Sequence, residues 1–191
     1  MHLYPEAFYH IYNRTNARRL LFTQKRNYSF FLSRLEQRLL PHIEMVAYCL
    51  MPTHFHLLVY TPASFDHKAC SEKFKWFLSG YAKAINAQEG VPGNLFQQNT
   101  KAKELSLEHG SKYPFICFQY IHQNPIRAGL EKRLGAWPWS SYAAYAEWVP
   151  SPPWLSRQLA YDYIAISEEA ELFVEESERF ARNRASDEGI W

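Results

Sequence analysis

The sequence predicts an α+β fold: one antiparallel sheet of four or five strands, helices packed on one face, and a helical C-terminal extension. Three observations carry this. Two apolar runs, 43–51 and 54–60, meet at Pro52-Thr53, the pattern of a hairpin with a tight connection. Residues 7–13 alternate faces as a strand does. Between these stretches the apolar residues recur at helical spacing, so the order reads strand, helix, hairpin, helix, strand, helix.

In the first strand Phe8, His10 and Tyr12 share one face, Tyr9 and Ile11 the other. It leads into Arg14-Thr15-Asn16-Ala17-Arg18-Arg19, a basic loop suited to holding phosphates or simply to meeting solvent. Thr23 suits the N-cap of the next helix, where Tyr28, Phe31, Leu32, Leu35 and Leu39 fall at i, i+3, i+4, i+7 and i+11, with Pro41 beyond its end. In the second hairpin strand His54, His56, Leu58 and Tyr60 share a face, and Phe55, Leu57 and Val59 the opposite one.

Residues 62–70 read as a polar connection. A helix over about 71–89 then buries Phe74, Phe77, Leu78, Tyr81 and Ile85; Gly90 stops it and Pro92-Gly93 turns the chain. Lys73, Lys75 and Lys83 lie off or beside its apolar stripe and read as a solvated face. Asn94-Leu95-Phe96-Gln97-Gln98 is a short strand candidate, followed by a polar loop from Lys101 through Gly110. The third helix begins near Tyr113-Pro114, and Pro125 ends or kinks it; on it Tyr120 and Asn124, at i and i+4, project from one face. Trp137-Pro138-Trp139-Ser140-Ser141-Tyr142 reads as an aromatic clamp leading into a short helix capped by Ser140 or Ser141. Pro150-Ser151-Pro152-Pro153 is a stiff break. It divides a body, 1–149, from an acidic extension, 150–191, with helices over 154–166 and 167–184, the latter capped by Ser167.

Of the 191 residues 47% are hydrophobic and 17% aromatic, which excludes general disorder. No run approaches the ~20 apolar residues of a bilayer span, and Met1-His2-Leu3-Tyr4-Pro5 does not read as a signal peptide. Cys49, Cys70 and Cys117, odd in number and widely spaced, fit reduced thiols of a cytoplasmic protein better than disulfides or a zinc cluster. Residues 1–134 carry 17 Lys/Arg against 9 Asp/Glu, a net +8, and residues 135–191 carry 4 against 10, a net −6. A basic body points to a polyanionic partner that the acidic extension does not touch; the alternative is an ordinary solvated surface.

His54 and His56, at i and i+2 on a strand, stand roughly 7 Å apart at Cα, so their ring nitrogens can converge on one ion. Half-buried strand histidines bonded to neighbours are the alternative, and His10 and His122 read as structural or hydrogen-bonding residues. A tyrosine hydroxyl can break a phosphodiester by attacking phosphorus, with a divalent ion offsetting the charge. His54 and His56 can supply two ligands and the Asn124 carbonyl a third, leaving positions for substrate and water. Core packing for Tyr120 and a helix cap for Asn124 are the alternatives. Nothing in the pattern identifies a base for the phenol, whose ordinary pKa is near 10.

Tyr48-Cys49-Leu50-Met51-Pro52-Thr53-His54-Phe55-His56-Leu57-Leu58 and Tyr120-Ile121-His122-Gln123-Asn124-Pro125-Ile126-Arg127-Ala128-Gly129-Leu130 resemble the two signature blocks of the single-tyrosine HUH transposases. They are most similar to the branch of REP-associated tyrosine transposases, which Gly93-Asn94-Leu95-Phe96-Gln97 and Trp139-Ser140-Ser141-Tyr142 also match; the resemblance covers residues 9–145. It implies a ferredoxin-like or RRM-like sheet over a catalytic domain at 1–149, with His54 and His56 as metal ligands. It implies Tyr120 as the nucleophile that attacks single-stranded DNA, leaving a 5′-phosphotyrosine and a free 3′-hydroxyl, and Asn124 as the amide completing a Mg²⁺ or Mn²⁺ site. The implied substrates are single strands beside imperfect DNA hairpins, bound by a monomer or homodimer. Arg14, Arg18, Arg19 and Arg127 are candidates for backbone contacts by charge and position. The chain departs from the pattern at Thr53, where Asn is common, and at Arg14-Thr15-Asn16, which lacks a common Gly. Two other readings use the same residues: a non-catalytic hairpin-binding module, and a metal-dependent phosphodiesterase that activates water and leaves no covalent adduct.

Overall fold

The computed structural model describes residues 2–105 and 112–184. Its body runs β1 (Ala7–Arg14), α1 (Lys25–Arg38), β2 (Glu44–Met51), β3 (His54–Thr61), α2 (His67–Glu89), β4 (Lys101–Leu105) and α3 (Tyr113–Arg127). The four strands pair antiparallel in the order β2-β3-β1-β4. This is the α+β class the alternation of periods predicts, with four strands.

The layers are richer than one sheet face covered by helices. Phe55 points to α1 and α2, where Phe31 lies 5.3 Å from it and 4.8 Å from Phe77, ring centre to ring centre. The opposite face, carrying His56, packs against α3. The reason lies in β2 and β3: seven of eight β2 residues and six of eight β3 residues are buried, so neither side can be left to water. Beyond α3, a short α4 (Tyr142–Tyr145) is followed by α5 (Arg157–Ile164) and α6 (Ala170–Arg184). The last two pack on α3, and Phe173 enters the core 6.2 Å from Phe118.

Strand β2 lies at the edge of the sheet, yet its outward backbone is satisfied. Leu50 N donates to Trp139 O (2.8 Å), Ser141 N to Tyr48 O (3.0 Å) and Tyr48 N to Ser141 Oγ (2.9 Å). The Trp137 indole donates to Leu50 O (2.9 Å), and the Tyr145 hydroxyl to Val46 O (2.6 Å). The aromatic segment is a cover for a strand edge, which removes its pairing hazard. At the hairpin tip, Thr15 N and Leu21 N donate to the carbonyls of Thr53 (2.9 Å) and Pro52 (2.7 Å).

Several boundaries differ from the sequence expectation. The N-cap of α1 is Gln24, not Thr23, because Asn27 Oδ1 accepts from Gln24 N (2.8 Å) and closes a capping box. Helix α2 starts at His67, inside the expected polar connection, because Asp66 Oδ1 accepts from Lys68 N (2.8 Å) and Ala69 N (3.0 Å). Gly90, at φ 65°, ends it as expected. The fourth strand is Lys101–Leu105 rather than 94–98, which makes a single bridge, Thr15 to Phe96. Of β4 only Leu105 is buried, so its identity comes from β1's backbone and not from an apolar pattern. The rest of the expected loop, 106–110, lies outside the described residues. Helix α3 carries Pro125 in its last turn and continues to Arg127. Ser141 precedes α4, but it is Ser140 Oγ that accepts from Tyr142 N (3.3 Å). Helices α5 and α6 are shorter than predicted, and Ser167 Oγ accepts from Glu169 N (3.1 Å) just before α6. The three cysteines are free and buried, and no helix among the described residues is long and apolar enough to cross a membrane.

Phe31 is fully buried and meets Phe22, Phe55, Phe77 and Tyr81. Phe31→Ala is therefore expected to lower unfolding stability by about 3–5 kcal/mol in urea titration. A loss below about 1 kcal/mol would show that this face of the sheet is not closed by α1.

Candidate active site

The pairing of β1 with β3 sets Tyr12 opposite His56 and Arg14 opposite His54. Directly opposed residues project to the same side, so four functional groups share one end of one sheet face. Tyr120 on α3 faces them, its ring centre 5.6 Å from that of His56 and 6.2 Å from that of His10. His10, Tyr12, Arg14, His54, His56 and Tyr120 together line a cavity of about 200 Å³.

The two histidines are held differently. His54 Nδ1 is 3.1 Å from the Thr53 hydroxyl, and His56 Nδ1 is 2.9 Å from His10 Nε2. In both, the Nδ1 contact leaves Nε2 as the nitrogen available to a ligand. A ligating imidazole is commonly oriented in this way, through its other nitrogen. Burial, reinforced by Lys103 for His10 and by Arg14 for His54, lowers both pKa values to about 4. His56, almost fully buried beside His10, His54 and Arg14, is pushed well below the ordinary value. At pH 7 all three are neutral, the state a metal ion requires of imidazole.

Tyr120 is half-buried; burial raises its phenol pKa, and the Arg127 guanidinium, 5.6 Å over its ring, pulls the other way. Asn124 sits one turn further along α3. Its Nδ2 donates to Tyr120 O (2.9 Å) and to Ile121 O (3.4 Å), the carbonyl that Pro125, lacking an N–H, cannot serve. This geometry explains an Asn directly before that proline and leaves Oδ1 as the amide's acceptor. Asn124 is not among the residues lining the cavity. Among the described residues no three His, Cys, Asp or Glu side chains cluster as a metal-holding group, so an ion held by His54 and His56 would take its further donors from amide or hydroxyl oxygen, water or substrate. Such a mixed nitrogen and oxygen set fits an octahedral divalent ion that keeps water or substrate in its open positions.

The arginines divide. Arg14 lines the cavity and Arg127 covers Tyr120. Arg18 is exposed on the loop at Asn16–Arg18, whereas Arg19 reaches back to Asn86 Oδ1 on α2 (3.0 Å). Sequence reasoning missed Tyr12 as a lining residue; its alternation with His10 was visible, but its partner strand was not. His122 lies away from the cavity, with Nε2 2.8 Å from Ser141 Oγ; that hydroxyl also takes the Tyr48 N–H, which ties α3 to the edge of β2. His10 and His122 are thus hydrogen-bonding residues, as their sequence context predicts.

No family profile and no curated protein matches this chain. Among solved structures it is similar to that of a REP-associated tyrosine transposase bound to a REP hairpin, with a TM-score of 0.59 and 18% identity over 77% of this chain and 82% of that one. The likeness shows a common fold.

Two predictions follow from the buried polar groups. His10, His56 and His122 have folded pKa values below the ordinary 6.5, about 4 for His10 and about 3 for His122, so between those limits the unfolded chain binds more protons. The metal-free protein should be most stable above pH 6.5 and lose stability on acidification, by up to about 1.4 kcal/mol per pH unit for each ring. Equal urea midpoints at pH 7.5 and 5.5 would contradict this burial. Ser141→Ala should cost about 1–3 kcal/mol in the same assay, because it strands the Tyr48 N–H and the His122 ring in the interior.

Proposed function

We propose that the chain is a cytoplasmic, metal-dependent single-stranded DNA transesterase of the HUH tyrosine transposase type, acting beside DNA hairpins. The observation that carries this reading is the convergence of His54, His56, Arg14 and Tyr120 on one cavity. It is supported by the common fold with a hairpin-bound tyrosine transposase and by the two signature blocks quoted above.

His54 and His56 would hold Mg²⁺ or Mn²⁺, with Asn124 as the candidate further donor. When bound, the ion supplies charge neutralisation at the scissile phosphate. The chain's own residues do the rest. Arg14 attracts the phosphate to the cavity mouth and Arg127 restrains the Tyr120 ring. The Tyr120 oxygen loses its proton and bonds to phosphorus, the bond from phosphorus to the 3′-oxygen breaks, and that oxygen takes up a proton. The products are a 5′-phosphotyrosine and a free 3′-hydroxyl, and attack by a 3′-hydroxyl reverses the step without further energy input. His10 orients His56 through the 2.9 Å contact and acts as a positioning residue. Arg18, exposed on the loop after β1, is placed for backbone contacts further along the strand, and Arg19 has donors to share beyond Asn86.

Labelled single-stranded DNA carrying a hairpin, incubated with Mn²⁺ and run on a denaturing gel, is expected to give a protein-linked band. Tyr120→Phe or chelator should remove at least 99% of it while hairpin binding persists. Cleavage without a linked band would support the water-activating phosphodiesterase, and binding without cleavage the non-catalytic module.

A further inference from the structure

A second cavity, about 700 Å³, opens between α2 and residues 93–100. Along α2 its wall is Ser71, Lys75, Ser79, Ala82, Lys83 and Asn86, one stripe of the helix at spacings of three and four. The facing wall is built in advance. Asn86 Nδ2 donates to Gly93 O (2.7 Å), and Asn16 Nδ2 donates to Asn94 O (3.0 Å) and Phe96 O (2.8 Å). The floor is apolar, with Phe74, Leu78 and the half-buried Phe96.

Three features select an occupant. The lining contains Lys75 and Lys83, both exposed, and no carboxylate. Its rim is rich in amides, with Gln97, Gln98 and Asn99 exposed. Asn13 borders both this groove and the Tyr120 cavity; its side chain lies on the opposite face of β1 from Tyr12 and Arg14, where Nδ2 donates to Gln97 O (3.2 Å) and Thr100 Oγ1 (2.9 Å), so the end of β1 stands between the two spaces. Point cations, base-edge donors and acceptors, and an apolar floor are the elements that bind an unpaired strand.

We infer that this groove holds unpaired nucleotides of single-stranded DNA, with Lys75 and Lys83 against their phosphates and the rim amides at their base edges. The inference rests on the function proposed above and gives it a second contact site, on the side of the sheet covered by α2. It turns two lysines that look merely solvating into strand contacts.

The test is fluorescence anisotropy with a labelled DNA hairpin, with and without an unpaired tail of about eight nucleotides. The wild-type protein should bind the tailed hairpin about tenfold tighter than the blunt one. Lys75→Gln combined with Lys83→Gln should remove most of that margin and reduce the salt slope for the tailed probe by about 1.4, two phosphate contacts at about 0.7 each. Ser79→Trp fills the groove without changing charge and should also remove the margin, while blunt-hairpin binding stays within twofold in both variants. A full tail preference in both variants overturns the inference, as does a wild-type protein with no tail preference. Adduct formation is scored separately. If the wild type forms no adduct but the tail preference appears and is lost as described, the groove stands and the transesterase reading falls.

Discussion

The register of β1 against β3 is the constraint on which the candidate site depends. Pairing Tyr12 with His56 and Arg14 with His54 brings an aromatic hydroxyl, two imidazoles and a guanidinium to one end of one face. A slip of one residue would turn the β1 groups to the opposite face, among the aromatic side chains under α1 and α2. The His10–His56 contact across the same two strands holds the His56 ring beside the cavity. Arg14 and Lys103 add positive charge nearby, which reinforces the effect of burial in keeping the imidazoles unprotonated. One alignment thereby sets the placement and the protonation of both imidazoles and puts a guanidinium beside them.

Tyr120 depends on a second constraint, the seating of α3. The helix is tied through His122 to Ser141, whose hydroxyl also serves the outward backbone of β2. The aromatic segment around Trp139 therefore has two duties: it closes a strand edge, and it anchors the helix that carries the candidate nucleophile. Asn124 supports the same helix locally by serving the carbonyl that Pro125 leaves open. The C-terminal helices back α3 from outside, with Phe173 in the core. An acidic segment placed behind α3 adds packing without contributing a residue to the cavity lining.

Much of this was legible from residue order. The hairpin and the shared face of His54 and His56 follow from a period of two, and the helices from apolar spacing with Gly90 as a stop. Strand β4 was not legible, because Lys-Ala-Lys-Glu-Leu has one buried side chain and is a strand only through its pairing with β1. The second helical layer was hidden because β2 is apolar on both faces, a pattern that does not say which helix covers which side. Tyr12 joined the site only through its partner strand, and Arg19 was drawn to Asn86 by a contact 67 residues away in sequence. Spacing identifies which groups share an element; it does not show which elements meet.

Two tyrosines line the candidate cavity, the half-buried Tyr120 and the more exposed Tyr12, 36% accessible and 5.9 Å from His56 between ring centres. The most direct test of the account is therefore to trap the protein on hairpin-bearing single-stranded DNA, digest both, and locate the residual nucleotide by tandem mass spectrometry. A phosphate-linked nucleotide on Tyr120, in the peptide from α3, is the result predicted here. A nucleotide on Tyr12, or intact DNA with every tyrosine unmodified, would contradict the claim that the sheet and α3 together present Tyr120 as the nucleophile.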